Sequence, residues 1–152
     1  MYIHILWIGK TKELFAQEGI QKYLKLISRF AEVEVTEIPD VKSMNDVNKL
    51  QLIEAEKIEE RLKKGVEYFY LDEKGKSFSS EVFSGMVSSE MNQTGKIGFI
   101  IGGAWGFAPG VKKTNSLISL SPLTFTHEMV RMILLEQIYR AFTIIKKLPY
   151  HH

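Results

Sequence analysis

The most informative absence in this chain is that of cysteine, which occurs nowhere among its 152 residues. The chain therefore has no disulfide scaffold, no thiolate zinc site, no iron–sulfur ligation and no cysteine nucleophile. A chain of this length buries enough surface to fold without such covalent or metal support. The composition fits a reducing cytoplasm, which is where we expect the protein to act.

The chain also lacks a large excess of charge of one sign and long apolar runs. Because 20 lysine and arginine residues stand against 18 aspartate and glutamate residues, bulk electrostatic attraction cannot hold the chain on nucleic acid. A polyanionic partner would have to meet a local basic patch. No apolar run reaches the roughly 18 residues of a membrane span, and the apolar start Met1–Ile8 lacks the basic flank of a signal peptide. We expect no membrane partner.

Short apolar runs alternate with helical patterns along the chain. We predict strands at Tyr2–Ile8, Glu32–Thr36, Tyr68–Leu71, Ile97–Ile101 and Leu117–Leu120. We predict helices over Lys12–Ile27, over Asp46–Lys64 after a polar loop Val41–Asn45, from Ser79–Glu81 onward, and over His127–Lys147. This alternation favours one α/β domain over residues 1–152, with a mainly parallel sheet.

Three loops are candidates for a binding site, because ligands of such sheets lie outside the carboxyl ends of the strands. They are Leu71–Lys76, Gly102–Gly110 and Leu120–Phe125. The second loop has the spacing G-G-x-x-G, which is neither the dinucleotide fingerprint nor a Walker A motif. Taken alone, it is equally compatible with a tight turn that needs positive φ. In the third loop, hydroxyl side chains are most simply explained as caps of the last helix.

The last helix is apolar nearly all the way round, apart from a polar stripe that contains Arg140. Such a helix lies deep in a core or between subunits, and we expect one flank to contact the sheet and the other a second copy. The tail Leu148–His152 follows, and its Tyr150 and His151 are suited to base stacking and proton transfer. His127 begins the helix beside the third loop. No histidine and carboxylate have metal-ligand spacing, so we predict no metal site.

Five motifs follow one another from the third predicted strand to the end of the chain. They are Leu71-Asp72-x-x-Gly75-Lys76 with Ser79-Ser80-Glu81, Ile101-Gly102-Gly103-x-x-Gly106, Ser119-Leu120-Ser121-x-x-Thr124-Phe125-x-His127, Arg131 with Glu136-Gln137-x-Tyr139-Arg140-Ala141, and Pro149-Tyr150-His151. Together they resemble the ribosomal large-subunit RNA methyltransferase H family. The resemblance covers the whole chain and is strongest from Leu71 onward.

The resemblance implies a SPOUT-class fold, in which a mainly parallel sheet is flanked by helices and the C-terminal part forms a trefoil knot. It implies a homodimer that uses S-adenosylmethionine, without a metal, to methylate N3 of a pseudouridine in 23S rRNA of the assembled ribosome. The donor-binding residues that it implies are Leu71, Gly102, Gly103, Leu120, Ser121, Pro122, Leu123, Thr124 and Phe125. They belong to the three loops selected above.

On the substrate side, the resemblance points to Arg140, Tyr150 and His151, and His127 is a further candidate. The imide N3 of pseudouridine is protonated at neutral pH, so a base or a stabiliser of its anion assists methyl transfer. We expect His151 to accept the proton, Arg140 to stabilise the anion or hold phosphate, and Tyr150 to stack on the base. His152 replaces the Lys or Arg common in the family and would hold phosphate more weakly at neutral pH.

The tail and the third loop stand at opposite ends of the last helix. About 21 helical residues span roughly 30 Å, whereas the tail reaches about 17 Å when extended. A straight helix therefore keeps each tail out of its own donor site, and an antiparallel two-fold pair brings it to the site of the partner. Two alternatives stay open, namely a flavodoxin-like nucleotide-binding enzyme and an RNA-binding module without catalysis.

Overall fold

The computed structural model describes residues 1–42 and 44–152. Within them, five strands form the sheet: β1 (Tyr2–Ile8), β2 (Glu32–Ile38), β3 (Glu67–Ser77), β4 (Lys96–Ile101) and β5 (Ser116–Ser119). The helices of the same residues are α1 (Leu14–Ile27), α2 (Val47–Glu59), α3 (Ser80–Gln93), α4 (Pro109–Thr114) and α5 (His127–Ile145). The predicted polar loop at 41–45 includes residue 43, which lies outside the described residues.

The strands are parallel and lie in the order β2-β1-β4-β3-β5. The apolar strands β1 and β4 are central and almost completely buried, because both of their faces are covered by helices. β2 alternates polar and apolar residues and lies at an edge of the sheet. The α/β class with a parallel sheet is thereby confirmed, and the trefoil knot stays a prediction.

Helices cover both faces of the sheet, and α5 lies between α1 and α3 on one of them. Phe30, just after α1, stacks on Phe142 with ring centres 5.4 Å apart, and the Ser84 hydroxyl of α3 donates to the Ala141 carbonyl at 3.3 Å. Parts of two flanks of α5 are thus covered by the same chain, and the second copy that we expect against this helix stays a prediction. None of the helices described is at once long and apolar enough to cross a membrane.

β3 is longer than predicted and continues through the first candidate loop. Its register against β5 shifts between Leu71 and Lys76, so the residues between them leave the ladder as a bulge. Gly75 ends this bulge against β5, where a Cβ would lie 2.7 Å from the backbone of Ile118. A glycine is needed there because the two backbones approach so closely. The motif L-D-x-x-G-K therefore builds a bulge inside a strand and not a loop after one.

The helices differ from the prediction in two places. α2 ends at Glu59 and not at Lys64, and Lys63, beyond its end, forms an ion pair with Glu34 of β2 at 2.5 Å. α4 was missed because its glycine-rich surroundings are typical of a loop. Pro109 is its first residue, where the fixed φ of proline suits a helix start.

Candidate active site

The bulge of β3 and the carboxyl ends of β4 and β5, with the segments that follow β4 and β5, enclose a cavity of about 370 Å³. Its wall includes eight of the nine predicted donor-binding residues: Leu71, Gly102, Gly103, Leu120, Ser121, Leu123, Thr124 and Phe125. The ninth, Pro122, is exposed and is not part of the wall. The volume is typical of a small-molecule site. The structure therefore brings the three selected loops together, and their binding of the donor stays a prediction.

The first wall is the bulge of β3, and Asp72 holds it in place. One carboxylate oxygen lies 2.8 Å from Nζ of Lys112 on α4, and the other accepts the backbone N–H of Lys74 at 2.9 Å. Burial by itself raises the pKa of Asp72, but these hydrogen bonds and charges outweigh it and lower the pKa below its ordinary value. Asp72 is therefore ionised at neutral pH and ties the bulge to α4.

The second wall is the turn that follows β4. The N–H of Gly106 donates to the carbonyl of Gly103 at 3.0 Å, and Gly106 has a φ of +70°. Nε2 of Gln51 on α2 donates to the carbonyl of Trp105 at 2.8 Å. The backbone of this turn is therefore held from two sides, while the Trp105 indole stays 63% exposed at the edge of the cavity.

The two glycines at the start of this turn make room for protein side chains. A Cβ on Gly102 would lie 3.1 Å from the Phe107 ring, and a Cβ on Gly103 would lie 2.5 Å from the carboxylate of Glu54. A side chain at either position would therefore meet protein atoms, and the approach of a ligand to the Gly102 backbone stays a prediction. Glu54 is nearly buried, and its pKa is raised first by burial and then by the nearby Asp40.

The third wall is the segment between β5 and α5. We expected hydroxyls of the third loop to cap α5, but the cap is Thr126 just after that loop, which accepts a backbone N–H of the first turn. Ser121 instead accepts the N–H of Leu123 at 3.0 Å within the segment. Thr124 donates its hydroxyl to the carboxylate of Glu73 on the bulge. The third wall is thereby joined to the first.

His127, the first residue of α5, also lines the cavity. Burial lowers the pKa of His127, and the positive charge of Arg131 lowers it further. The imidazole is therefore neutral at neutral pH and can accept a proton. Of the four predicted substrate-side residues, His127 is the one that the structure places at the cavity.

The other three form a separate cluster near the end of α5, which we call the tail cluster (Arg140, Tyr150 and His151). Nη2 of Arg140 and the Tyr150 hydroxyl both donate to one oxygen of Glu136, at 2.5 and 3.2 Å. The guanidinium carbon lies 4.8 Å from the centre of the Tyr150 ring. His151 has Nδ1 3.4 Å from Arg140 and Nε2 2.8 Å from the carboxylate of Glu81 on α3.

The charges in the tail cluster fix what its members can do. Burial, followed by the hydrogen bond with Tyr23 and the charge of Glu136, raises the pKa of Tyr150 well above its ordinary value. The phenol therefore stays protonated and acts as a donor. The hydrogen bond with His151 lowers the pKa of Glu81 to about 2. Spacing along the helix indicates the Glu136–Arg140 pair, whereas no local pattern relates Glu81 to the tail.

A left-handed residue folds the tail onto its own helix. Lys147 has a φ of +54°, and the N–H of Leu148 bonds to the carbonyl of Thr143 at 2.8 Å, as in a helix C-terminal cap. The separation of 13 positions between His127 and Arg140 corresponds to about 20 Å along the helix. The cavity and the tail cluster therefore stand at opposite ends of α5, and one protomer does not bring them together.

Comparison with known proteins agrees with these motifs. A family model described as "Predicted SPOUT methyltransferase" matches residues 1–151. Curated proteins named "Ribosomal RNA large subunit methyltransferase H" are similar over nearly their whole lengths. That of Pelobacter propionicus is 36% identical over 100% of both chains. That of Desulforamulus reducens is 41% identical over 98% of each, and that of Cytophaga hutchinsonii is 42% identical over 97% of each.

Proposed function

Because this chain belongs to the SPOUT methyltransferase family, whose methyl donor is S-adenosylmethionine, we propose that it methylates large-subunit ribosomal RNA. The target is N3 of a pseudouridine in 23S rRNA of the assembled ribosome, in the cytoplasm. The observation that carries this proposal is full-length similarity to relatives named for large-subunit rRNA methylation. Family membership decides against the flavodoxin-like enzyme and the non-catalytic binding module.

The residues around the cavity fit a methyl donor of this size and charge. The walls are apolar at Leu71 and Phe107, while Glu73 adds a carboxylate that suits a cationic ligand. Bound there, the donor supplies an electrophilic methyl group carried by a sulfonium. The hydrogen bond between Thr124 and Glu73 holds two walls around it. These residues position the ligand, and the acceptor nitrogen has to reach it through the mouth of the cavity.

In this proposal, a histidine removes the proton from N3. His127 is neutral and lines the cavity, so it can accept the proton where the acceptor meets the donor. His151 is the second candidate base, beside the fixed positive charge of Arg140. A cation in that position stabilises the anion that forms on the pseudouridine ring as N3 loses its proton. Tyr150 keeps its proton, so it donates or stacks and does not act as the base.

The two parts of the site are joined by a second copy of the chain in this proposal. The tail cluster and the cavity of one protomer lie about 20 Å apart along α5. A two-fold axis that pairs the α5 helices antiparallel brings the tail of each subunit to the cavity of the other. The proposed enzyme is therefore a homodimer whose two sites each take residues from both subunits.

Ribosomes from a strain that lacks the gene test the substrate. They are incubated with the protein and methyl-labelled donor, and the modified nucleotide is located by mass spectrometry. We expect one labelled pseudouridine in 23S rRNA, with the methyl group on N3. Free 23S rRNA and isolated small subunits serve as controls and are expected to take up little label. Label on another nucleotide, or none on the ribosome, would contradict the proposed substrate.

Complementation between two inactive variants tests the shared site. Ala104 is exposed and lines the cavity, so Ala104→Trp obstructs the cavity without adding a side chain to the core. The second variant lacks residues 150–152 and keeps its cavity. Random exchange makes half of the dimers mixed, and each mixed dimer has one working site of two, so activity returns to about one quarter of wild type. If the mixed dimers are inactive, each tail acts at the cavity of its own subunit, which contradicts the shared site.

A further inference from the structure

One large apolar side chain at the cavity has no role in the fold or in the proposed chemistry. Trp105 is 63% exposed at the edge of the cavity, and Leu123 of the third wall is 70% exposed. Single exposed apolar residues are common on protein surfaces. Trp105 differs because its backbone is held by Gln51 and by the turn between Gly103 and Gly106. A fixed turn therefore presents the indole to solvent at the mouth of the site.

The position of Trp105 separates it from the donor-holding part of the cavity. The buried residues of the wall include Ile101, Gly102 and Phe107, and an enclosed small ligand contacts such residues. The acceptor is part of a large RNA, so it enters through the mouth. Single-stranded bases are bound by stacking on aromatic side chains, and an indole provides the largest face for this.

We propose that Trp105 stacks on a base of the substrate RNA as the target nucleoside enters the cavity. This inference rests on the proposed function and adds a residue that binds the acceptor. Lys74 of the first wall also lines the cavity and has an exposed side chain, so it offers a cation to a phosphate of the same strand. Stacking tolerates any base, so Trp105 contributes affinity and orientation while the rest of the site selects the nucleotide.

Steady-state kinetics on ribosomes from the gene-deletion strain test this role. Removing one base–aromatic stack weakens binding by about 5- to 150-fold, so Trp105→Ala raises KM for ribosomes within that range. Trp105→Phe keeps an aromatic face and recovers most of the loss. The donor Kd and kcat at saturating ribosomes stay at wild-type values. Leu62→Ala, which shortens a 37%-exposed side chain near the amino ends of the strands, is the control and leaves KM unchanged.

Fluorescence gives a second measurement that does not depend on turnover. The chain has two tryptophans, and Trp7 is buried with no hydrogen-bond partner for Nε1 among the described residues. Trp7→Phe therefore loses no hydrogen bond and leaves Trp105 as the single reporter. A short single-stranded RNA that contains pseudouridine should quench its emission, whereas S-adenosylhomocysteine alone should not.

The outcomes separate this inference from the proposed function. A wild-type KM for ribosomes in Trp105→Ala, or no quenching by the RNA, would overturn the stacking role while leaving methylation intact. Quenching by S-adenosylhomocysteine together with a raised donor Kd in Trp105→Ala would assign the indole to the donor and also overturn it. If the wild-type protein methylates no ribosomal RNA, the proposed function fails, and the quenching experiment still decides whether Trp105 stacks on RNA.

Discussion

Replacing Gly75 by alanine tests how the first wall of the cavity is built. The new Cβ would lie 2.7 Å from backbone atoms of Leu117 and Ile118, closer than carbon atoms approach in folded proteins. A backbone cannot rotate away as a side chain can, so β3 and β5 have to separate locally. Overpacking of this kind typically costs about 1–3 kcal/mol. We expect the free energy of unfolding to fall by that amount.

The matched control is the same substitution at Gly85 in the middle of α3. A Cβ there would meet no atom within 4 Å, and alanine favours a helix interior over glycine by about 0.8–1 kcal/mol. Gly85→Ala should therefore stabilise the protein while Gly75→Ala destabilises it. The two variants should differ by roughly 2–4 kcal/mol, with opposite signs relative to wild type.

Urea unfolding followed by circular dichroism measures both changes, and calorimetry measures donor affinity in the same samples. Gly75→Ala should also weaken donor binding, because the bulge that it displaces carries Leu71, Glu73 and Lys74 of the cavity wall. Gly85→Ala should leave donor binding unchanged. If Gly75→Ala unfolds at the wild-type urea concentration and binds the donor normally, the close approach to β5 does not fix this wall.

Three further predictions concern ionisable groups. Because the folded pKa of Asp72 is lowered, its contribution to stability is present above the unfolded pKa of about 3.9 and is lost as pH falls through the folded pKa. Asp72→Asn should therefore reduce the pH dependence of the free energy of unfolding, measured with urea, over that acid range, and should weaken donor binding. Burial and the charge of Lys63 lower the pKa of His4, so below about pH 6.5 the unfolded chain gains a proton that the folded chain does not. The free energy of unfolding of the wild type should therefore fall on acidification, and that of His4→Gln should fall less steeply. His151→Ala should keep the wild-type donor Kd in calorimetry and reduce methylation by about 10²–10⁴-fold, as expected for a lost general base.

The sequence predicts the sheet well because its signals are local. β1 and β4 are continuous apolar runs, which indicates burial on both faces, and β2 alternates, which indicates burial on one face. Each of these signals lies within a single segment. The bulge of β3 has no such signal, since Gly75 is needed only where β5 arrives from a later part of the chain. For the same reason, no local pattern indicates that Gly102 faces Phe107.

The candidate site likewise combines features that local sequence signals predict with features that depend on distant contacts. Two of its walls follow the ends of β4 and β5, and the rule for parallel sheets selects these without knowledge of side-chain contacts. The first wall is a bulge within β3, where we predicted a loop after the strand. The separation of His127 from Arg140 follows from helical rise alone. The contact of His151 with Glu81 depends on the start of α3 meeting a tail turned by Lys147. That contact joins distant segments, so only the folded chain reveals it.

The position of β4 also has a consequence for the order in which the protein is made. β4 lies between β1 and β3, although both of these strands leave the ribosome before it. Until Lys96–Ile101 emerges, β1 and β3 each keep an unpaired edge, and such edges associate with other chains. Completion of the sheet is therefore delayed to the last third of synthesis. A nascent chain stalled before β4 would have no cavity and would depend on chaperones to stay unaggregated.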